Sequence, residues 1–347
     1  MCGRIRVGFG KPARSKTKIN VVNSNSSDTV KQVLRRIRSK TQRIRSGGLC
    51  PDNENQVGLV PKKGWHRRNL QYWGRTVIPS LFANRGEAPG VPSFPELVRD
   101  QVGVTWIGHA SFLIQCAGRN ILVDPNWGMW LSLFKRMRHP GIPLDALPKI
   151  DLVLISHAHH DHLHLKTLRE IADRQPILVP RGVGSLVKRR GFSEVHELKY
   201  WECWSDGDLE ITLTPTMHWG ARFIHDTHRQ FGGFVIDGGG TTVYHAGDSA
   251  MFDGFQEIGL RHSIDVALMP IGAYDAPSGR EVHMNPEEAL EAFEHLGAKW
   301  MVPMHYGTFP LGGEPVREPV ERLERAAAER RLRNKVIVMP EGEPHVF

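Results

Sequence analysis

From Val102 onward the chain alternates short apolar runs with polar or glycine-bearing turns. Runs of strand length rich in Val, Ile and Leu predict strands at about 102–107, 111–116, 120–123, 151–155, 177–179, 208–215, 231–237, 241–245, 264–269 and 300–304. Apolar residues at helical spacing predict helices near 163–173, 183–190, 286–296 and 315–331. The start of the third is marked by Asn285-Pro286-Glu287-Glu288, an N-cap, a proline at the first helical position and early acids facing the dipole. By periodicity alone this is an α/β fold, expected over residues 99–347. Residues 61–98 read as a lead-in, with Trp65, Tyr72, Trp73, Leu81 and Phe82 expected to cover an edge of the core. Pro89, Pro92 and Pro95 mark an extended stretch there.

Charge separates residues 1–60 from the rest. Residues 1–70 hold 17 Lys and Arg against 3 Asp and Glu, and the remainder holds 28 against 34. The net +8 of the 347 residues is thus a property of the amino-terminal part. Residues 11–28, rich in Lys, Ser and Asn, have the composition of a disordered extension. Val30, Val33, Leu34, Ile37 and Ile44 share a helical face among basic residues. That stretch could meet an anionic membrane surface, but a solvated extension without catalytic part is the commoner outcome of such a pattern. The mildly acidic remainder argues against a nucleic-acid groove. Cys2, Cys50, Cys116 and Cys203 are widely spaced, so neither a disulfide framework nor a thiolate metal site is expected. No apolar run suggests a membrane span or a secretory signal, and a reducing cytoplasm is the expected compartment.

The chemistry concentrates in Ser156-His157-Ala158-His159-His160-Asp161-His162, directly after the apolar run Leu152–Ile155. His157, His159, Asp161 and His162 are four candidate ligands in one loop at a strand end. Imidazole and carboxylate suit borderline divalent cations. Their spacing is tighter than the i, i+4 pair of a one-metal helix and fits one side of a two-metal site. Three later apolar runs also end in a candidate ligand: His218, Asp248 and His305. Strand ends hold such groups on rigid elements.

This set of seven resembles the site of the metallo-β-lactamase superfamily. Val104–Ala110, Glu197–Glu202, Pro270–Tyr274, His283–Ala289 and His305–Phe309 further resemble the N-acyl-phosphatidylethanolamine phospholipase D branch and its bacterial relatives. The resemblance covers about residues 100–345. It implies a four-layer αββα sandwich and a dinuclear centre. His157, His159 and His218 would hold one cation, Asp161, His162 and His305 the other, and Asp248 would bridge them. Zinc is the first expectation, with manganese or iron also compatible with such ligands. Paired cations acidify a shared water into a nucleophile and clamp the reacting oxygens. Asp161 is also expected to handle protons, and His283 to act on substrate. Asp124 is a candidate to orient a ligand histidine through its second nitrogen, or else caps its Asp-Pro turn. His109 reads as a core histidine slightly ahead of a site-lining one. Tyr306 could serve an oxyanion or simply pack. His160 departs from the branch, where an aromatic residue is usual. Trp127, Trp130, Leu131, Leu133 and Phe134 form an apolar cluster suited to a lipid-facing patch, to core packing or to a homodimer contact.

The expected function is therefore a metal-dependent hydrolase, foremost a phosphodiesterase of phospholipase D type acting on a small molecule or lipid. Alternatives are a lactonase or other ester or amide hydrolase with at most weak β-lactamase activity, a nucleic-acid-directed hydrolase, and a metal-binding protein without catalysis.

Overall fold

The computed structural model describes residues 64–223, 226–275 and 281–347. The expected extension 1–60, with its amphipathic stretch and membrane contact, lies outside the described residues, as do Cys2 and Cys50. In chain order the strands are β1 (Gly103–Gly108), β2 (Ser111–Cys116), β3 (Arg119–Val123), β4 (Trp130–Leu131), β5 (Phe134–Lys135), β6 (Leu152–Leu154), β7 (Ile177–Pro180), β8 (Val195–Leu198), β9 (Cys203–Asp206), β10 (Leu209–Thr214), β11 (Gly233–Gly238), β12 (Thr242–His245), β13 (Val266–Pro270), β14 (Trp300–Met304) and β15 (Pro344–Val346). The α-helices are α1 (Trp65–Tyr72), α2 (Ile78–Phe82), α3 (Leu165–Ile171), α4 (Gly184–Val187), α5 (Gly254–Arg261), α6 (Pro286–Leu296) and α7 (Glu318–Glu329).

Two sheets carry the core. One runs β15-β1-β2-β3-β6-β7-β8, the other β14-β13-β12-β11-β10-β9. Each mixes antiparallel hairpins with parallel neighbours, since β3, β6, β7 and β8 pair in parallel, as do β12, β13 and β14. The period of two along a strand sorts side chains to opposite faces. Phe112 and Ile114 of β2 join one apolar cluster with Ile211, Phe234 and Ile236 of the facing sheet, while Leu113 joins Leu163 and Leu168 around α3. Leu152 and Leu154 of β6 likewise face the second sheet, and Val153 faces α3. Leu290, Phe293 and Leu323 bring α6 and α7 onto the outer face of the second sheet. The layering is α/β/β/α, the expected sandwich. The central strands are buried on both faces, which is why they read as apolar runs.

Several elements depart from expectation. β8, β9, β15 and α5 were not legible: the strands are short and polar at the sheet edges, and α5 carries Gly259 with few apolar positions. α3 starts two residues later than predicted because the His164 ring caps it, accepting from Thr167 N. The lead-in is not a simple edge cover. α1 runs through a π-turn (Trp73–Val77) into α2. Trp73 stacks on Phe134 of the β4–β5 hairpin, and the Tyr72 hydroxyl donates to Pro310 O. The expected apolar cluster is thereby divided: Leu131 is buried, Phe134 packs on the lead-in, and Trp130 and Leu133 are exposed. Among the described residues no helix is long and apolar enough to cross a membrane.

Candidate metal centre

The candidate ligands occupy turns at strand ends on one edge of the sandwich. The His157–His162 loop follows β6, His218 follows β10, Asp248 follows β12 and His305 follows β14. His109 sits in the β1–β2 turn and Asp124 just past β3. His109, Asp124 and His305 adopt φ of 57°, 44° and 64°. Such left-handed backbone costs a side chain of order 1–3 kcal/mol and collects where function fixes geometry.

All seven expected residues converge. His157, His159, His218 and Asp248 offer ligand atoms within 4.8 Å of one another, and so do Asp161, His162 and His305 together with His109. Asp248 lies between the sets: its Oδ2 is 3.2 Å from His162 Nε2, 3.1 Å from His305 Nε2, 3.8 Å from His157 Nε2 and 3.7 Å from His218 Nε2. His157 Nε2 and His159 Nδ1 face each other at 2.8 Å. His162 Nε2, His305 Nε2 and Asp248 Oδ1 are buried and find no hydrogen-bond partner among the described residues. Buried polar atoms are almost always satisfied. Unpaired ring nitrogens and a carboxylate oxygen gathered at one centre are, once the rings give up their protons, the donor set a divalent cation requires.

The surrounding hydrogen bonds fix which nitrogen of each ring points inward. His218 Nδ1 donates to Val282 O at 3.0 Å, which leaves Nε2 as the lone pair. Asp124, fully buried, accepts from His162 Nδ1 at 2.7 Å and from Ser156 N at 2.7 Å. Ser156 Oγ donates to the same carboxylate and accepts from His157 Nδ1 at 2.9 Å. One carboxylate therefore sets two rings, directly and through a hydroxyl, in the manner of outer carboxylates at metal sites. The orienting role expected of Asp124 has its geometry here.

Electrostatics divide the cluster. Burial, reinforced by neighbouring rings, pushes His157 well below the usual histidine value. Burial also lowers His218 well below it and takes His159 to about 4. Burial opposes the charged form of His305 too, but the Asp248 carboxylate, with Asp161 beside it, raises it to about 9. His162 is raised in the same way by Asp248, Asp161 and Asp124 against its burial. Desolvation opposes charge on the buried Asp248 and the partly buried Asp161, yet the cationic rings beside them hold both well below the carboxylate range.

The other expected residues separate into two groups. His109 is not an isolated core histidine: its Nε2 lies 2.8 Å from Asp161 Oδ2, and its ring packs on His305 at 4.0 Å. His283 reaches the cluster as well, with Nδ1 3.9 Å from Asp248 Oδ2 and its ring stacked on His305. Tyr306 packs its ring on Trp106 and lines the same cavity as His109 and His305. His160 points away, accepting from Arg222 Nη2 at 3.0 Å beside Phe223.

Four supports went unassigned in the sequence. Ser156 is the relay just described. Asn126 Nδ2 donates to Asp161 O at 2.8 Å, and the Asp124-Pro125-Asn126 turn was its only signal. Arg222 donates to Ala158 O and Leu163 O, clamping the histidine loop at both ends. Arg136, fully buried, donates to Asn126 O, Ile107 O and Arg138 O. In Lys135-Arg136-Met137-Arg138 it reads as one of several surface cations.

Residues 119–306 match the family described as Beta-lactamase superfamily domain. An uncharacterised protein of Mycobacterium tuberculosis is 35% identical over 263 residues, covering 71% of this chain and 70% of that protein. N-acyl-phosphatidylethanolamine-hydrolyzing phospholipase D 1 of Caenorhabditis elegans is 31% identical over 242 residues, 63% of this chain and 68% of that one. Among solved structures, Igni18, a metallo hydrolase of Ignicoccus hospitalis, matches with a TM-score of 0.57 and 29% identity, covering 71% of this chain and 98% of its own. The sandwich, the buried cluster of histidines and carboxylates, and these likenesses agree: the chain belongs to the β-lactamase superfamily and is a metal-dependent hydrolase.

Proposed function

We propose that the protein is a phosphodiesterase of phospholipase D type working with two divalent cations, zinc foremost. The observation that carries the reading is Asp248, whose one carboxylate lies within 4 Å of ring nitrogens from both ligand sets. His157, His159 and His218 would hold one cation and Asp161, His162 and His305 the other, with Asp248 shared. A bound pair of cations supplies an acidified water and charge neutralisation for a diester. The chain's own groups do the rest. Asp161 Oδ2, bonded to His109 and 3.5 Å from both His162 Nε2 and His305 Nε2, would take up and return a proton. His283 would use a ring nitrogen on the phosphoryl group or the leaving oxygen; burial lowers it to about 4, so the ring is neutral at pH 7. Asp124 and Ser156 keep His157 and His162 in the ligating tautomer.

The nematode relative's name supports a diester over a lactone, and so does charge: an anionic diester gains more from paired cations than a neutral ester does. The test is metal analysis of the purified protein followed by turnover of a generic phosphodiester, a phospholipid, a lactone and a β-lactam. Two equivalents of metal and a highest kcat/KM on diesters are expected. A stoichiometry that stays at one after supplementation would sink the paired-cation reading. Lactone hydrolysis without diester cleavage would sink the substrate class.

A further inference from the structure

His245 is fully buried and stands outside both candidate ligand sets. It ends β12, shortly before Asp248, and reaches from the second sheet to the first. Its Nε2 lies 2.9 Å from Ala110 O, in the β1–β2 turn beside His109. Its Nδ1 lies 3.1 Å from Gly247 N. These two partners fix the tautomer. A carbonyl oxygen can only accept and an amide N–H can only donate, so Nε2 carries the proton and Nδ1 the lone pair. One ring thus braces two turns of the centre at once.

The turn that carries Asp248 is held from both sides. Behind Asp248, Ser249 Oγ accepts from Met217 N at 3.0 Å and Ser249 O accepts from Met284 N at 3.1 Å. Those bonds tie the turn to the segments of His218 and His283. Ahead of Asp248, Gly247 adopts a φ of 58°, and a Cβ there would come within 2.7 Å of Gly232 O. The Gly247 N–H finds its acceptor in the His245 ring. An apolar side chain of similar size would fill the space of that ring but leave the N–H unpaired in a dry site. Buried backbone donors almost never stay in that state. The turn would rotate toward another acceptor, and the Asp248 carboxylate would move with it.

We infer that His245 is a positioning residue. Through Gly247 it sets the Asp248 carboxylate between the two ligand sets, and through Ala110 it holds the His109 turn against them. It touches neither cation nor substrate. This role rests on the paired-cation reading above, because a shared carboxylate is what the brace serves.

Two substitutions separate the two bonds. Asparagine Oδ1 falls near the place of histidine Nδ1, so His245→Asn keeps an acceptor for Gly247 N and loses the donor to Ala110 O. Glutamine Nε2 falls near the place of histidine Nε2, so His245→Gln keeps the donor and loses the acceptor. The full chain of each is titrated with zinc against a chromophoric chelator, and the metal-free forms are unfolded by heat. Both variants should unfold at a lower temperature than wild type. Zinc affinity should fall about tenfold in His245→Gln, the low end for outer partners of metal ligands, and less than about threefold in His245→Asn. An affinity in His245→Gln no weaker than in His245→Asn overturns the positioning role and leaves the metal reading intact. Nitrogen NMR of the wild-type protein checks the ring without any variant. His245 should show the Nε2–H tautomer both before and after zinc is added; an Nδ1–H tautomer, or a ring shifted as a metal ligand shifts, overturns the role. Wild-type protein that takes up no zinc overturns the paired-cation reading and the role together.

Discussion

Replacing Asp124 by Asn tests whether ring tautomers at the centre are imposed from outside it. The side chain is fully buried and accepts from Ser156 N, Ser156 Oγ and His162 Nδ1. Asparagine keeps the volume but turns one of the two acceptor atoms into a donor. If its NH₂ faces His162, that ring must present a lone pair outward, and the proton then sits on Nε2 where a cation should bind. If it faces Ser156 N, two donors oppose each other in a dry site. Hydrogen bonds to charged groups contribute about 1.5–3 kcal/mol each. Losing one, with some relaxation, should lower the stability of metal-free protein by about 2 kcal/mol. The larger effect is on metal: loss of an outer carboxylate typically weakens affinity about 10–100-fold. Competition against a chromophoric chelator measures this, and thermal unfolding after chelation measures the first effect separately. Zinc affinity within about twofold of wild type, alongside the stability loss, would refute the tautomer argument and leave Asp124 as a turn cap alone.

Other outcomes follow from the same geometry. Asp248→Ala should lower metal occupancy and nearly abolish hydrolysis, since it removes the carboxylate nearest both ligand sets; full occupancy with activity by elemental analysis and assay would contradict this. His283→Ala should retain both metals yet lose on the order of 10²-fold in diester turnover, the size of a positioned acid–base group; an unchanged rate would remove His283 from the chemistry. His305, held at about 9 despite burial, is protonated at neutral pH before a cation arrives, so metal uptake should release protons and affinity should climb with pH until about 9. Calorimetry in buffers of different ionisation enthalpy reads that release, and identical heats would refute it. Arg136→Met should destabilise the fold by about 3 kcal/mol, because two buried carbonyls and one partly buried carbonyl lose their donor at about 1 kcal/mol or more apiece; denaturant unfolding gives the value, and a loss below about 1 kcal/mol would show that water or a neighbour replaces it.

The sequence by itself determined the layers and the reactive groups. β-strands buried on both faces must be continuously apolar, so β2, β6, β12 and β14 could be read directly. Each candidate ligand followed such a run, and a residue type that binds metal keeps that property wherever the chain puts it. The capped start of α6 is equally local: Asn285 and Glu288 satisfy each other's backbone within one turn. Tertiary structure alone decided what depends on distant segments meeting. His109 became a partner of Asp161, 52 positions away, because the β1–β2 turn abuts the histidine loop. Tyr306 gained Trp106, 200 positions away, as the partner its ring packs on. Arg136 was drawn inside by three carbonyls that no local pattern announces. The lead-in became a wall of the cavity beside His305 through Tyr72 and Trp73, contacts made across more than half the chain in one case. Periodicity records which face of an element is dry; it does not record which element dries it, and that assignment comes only from the packed molecule.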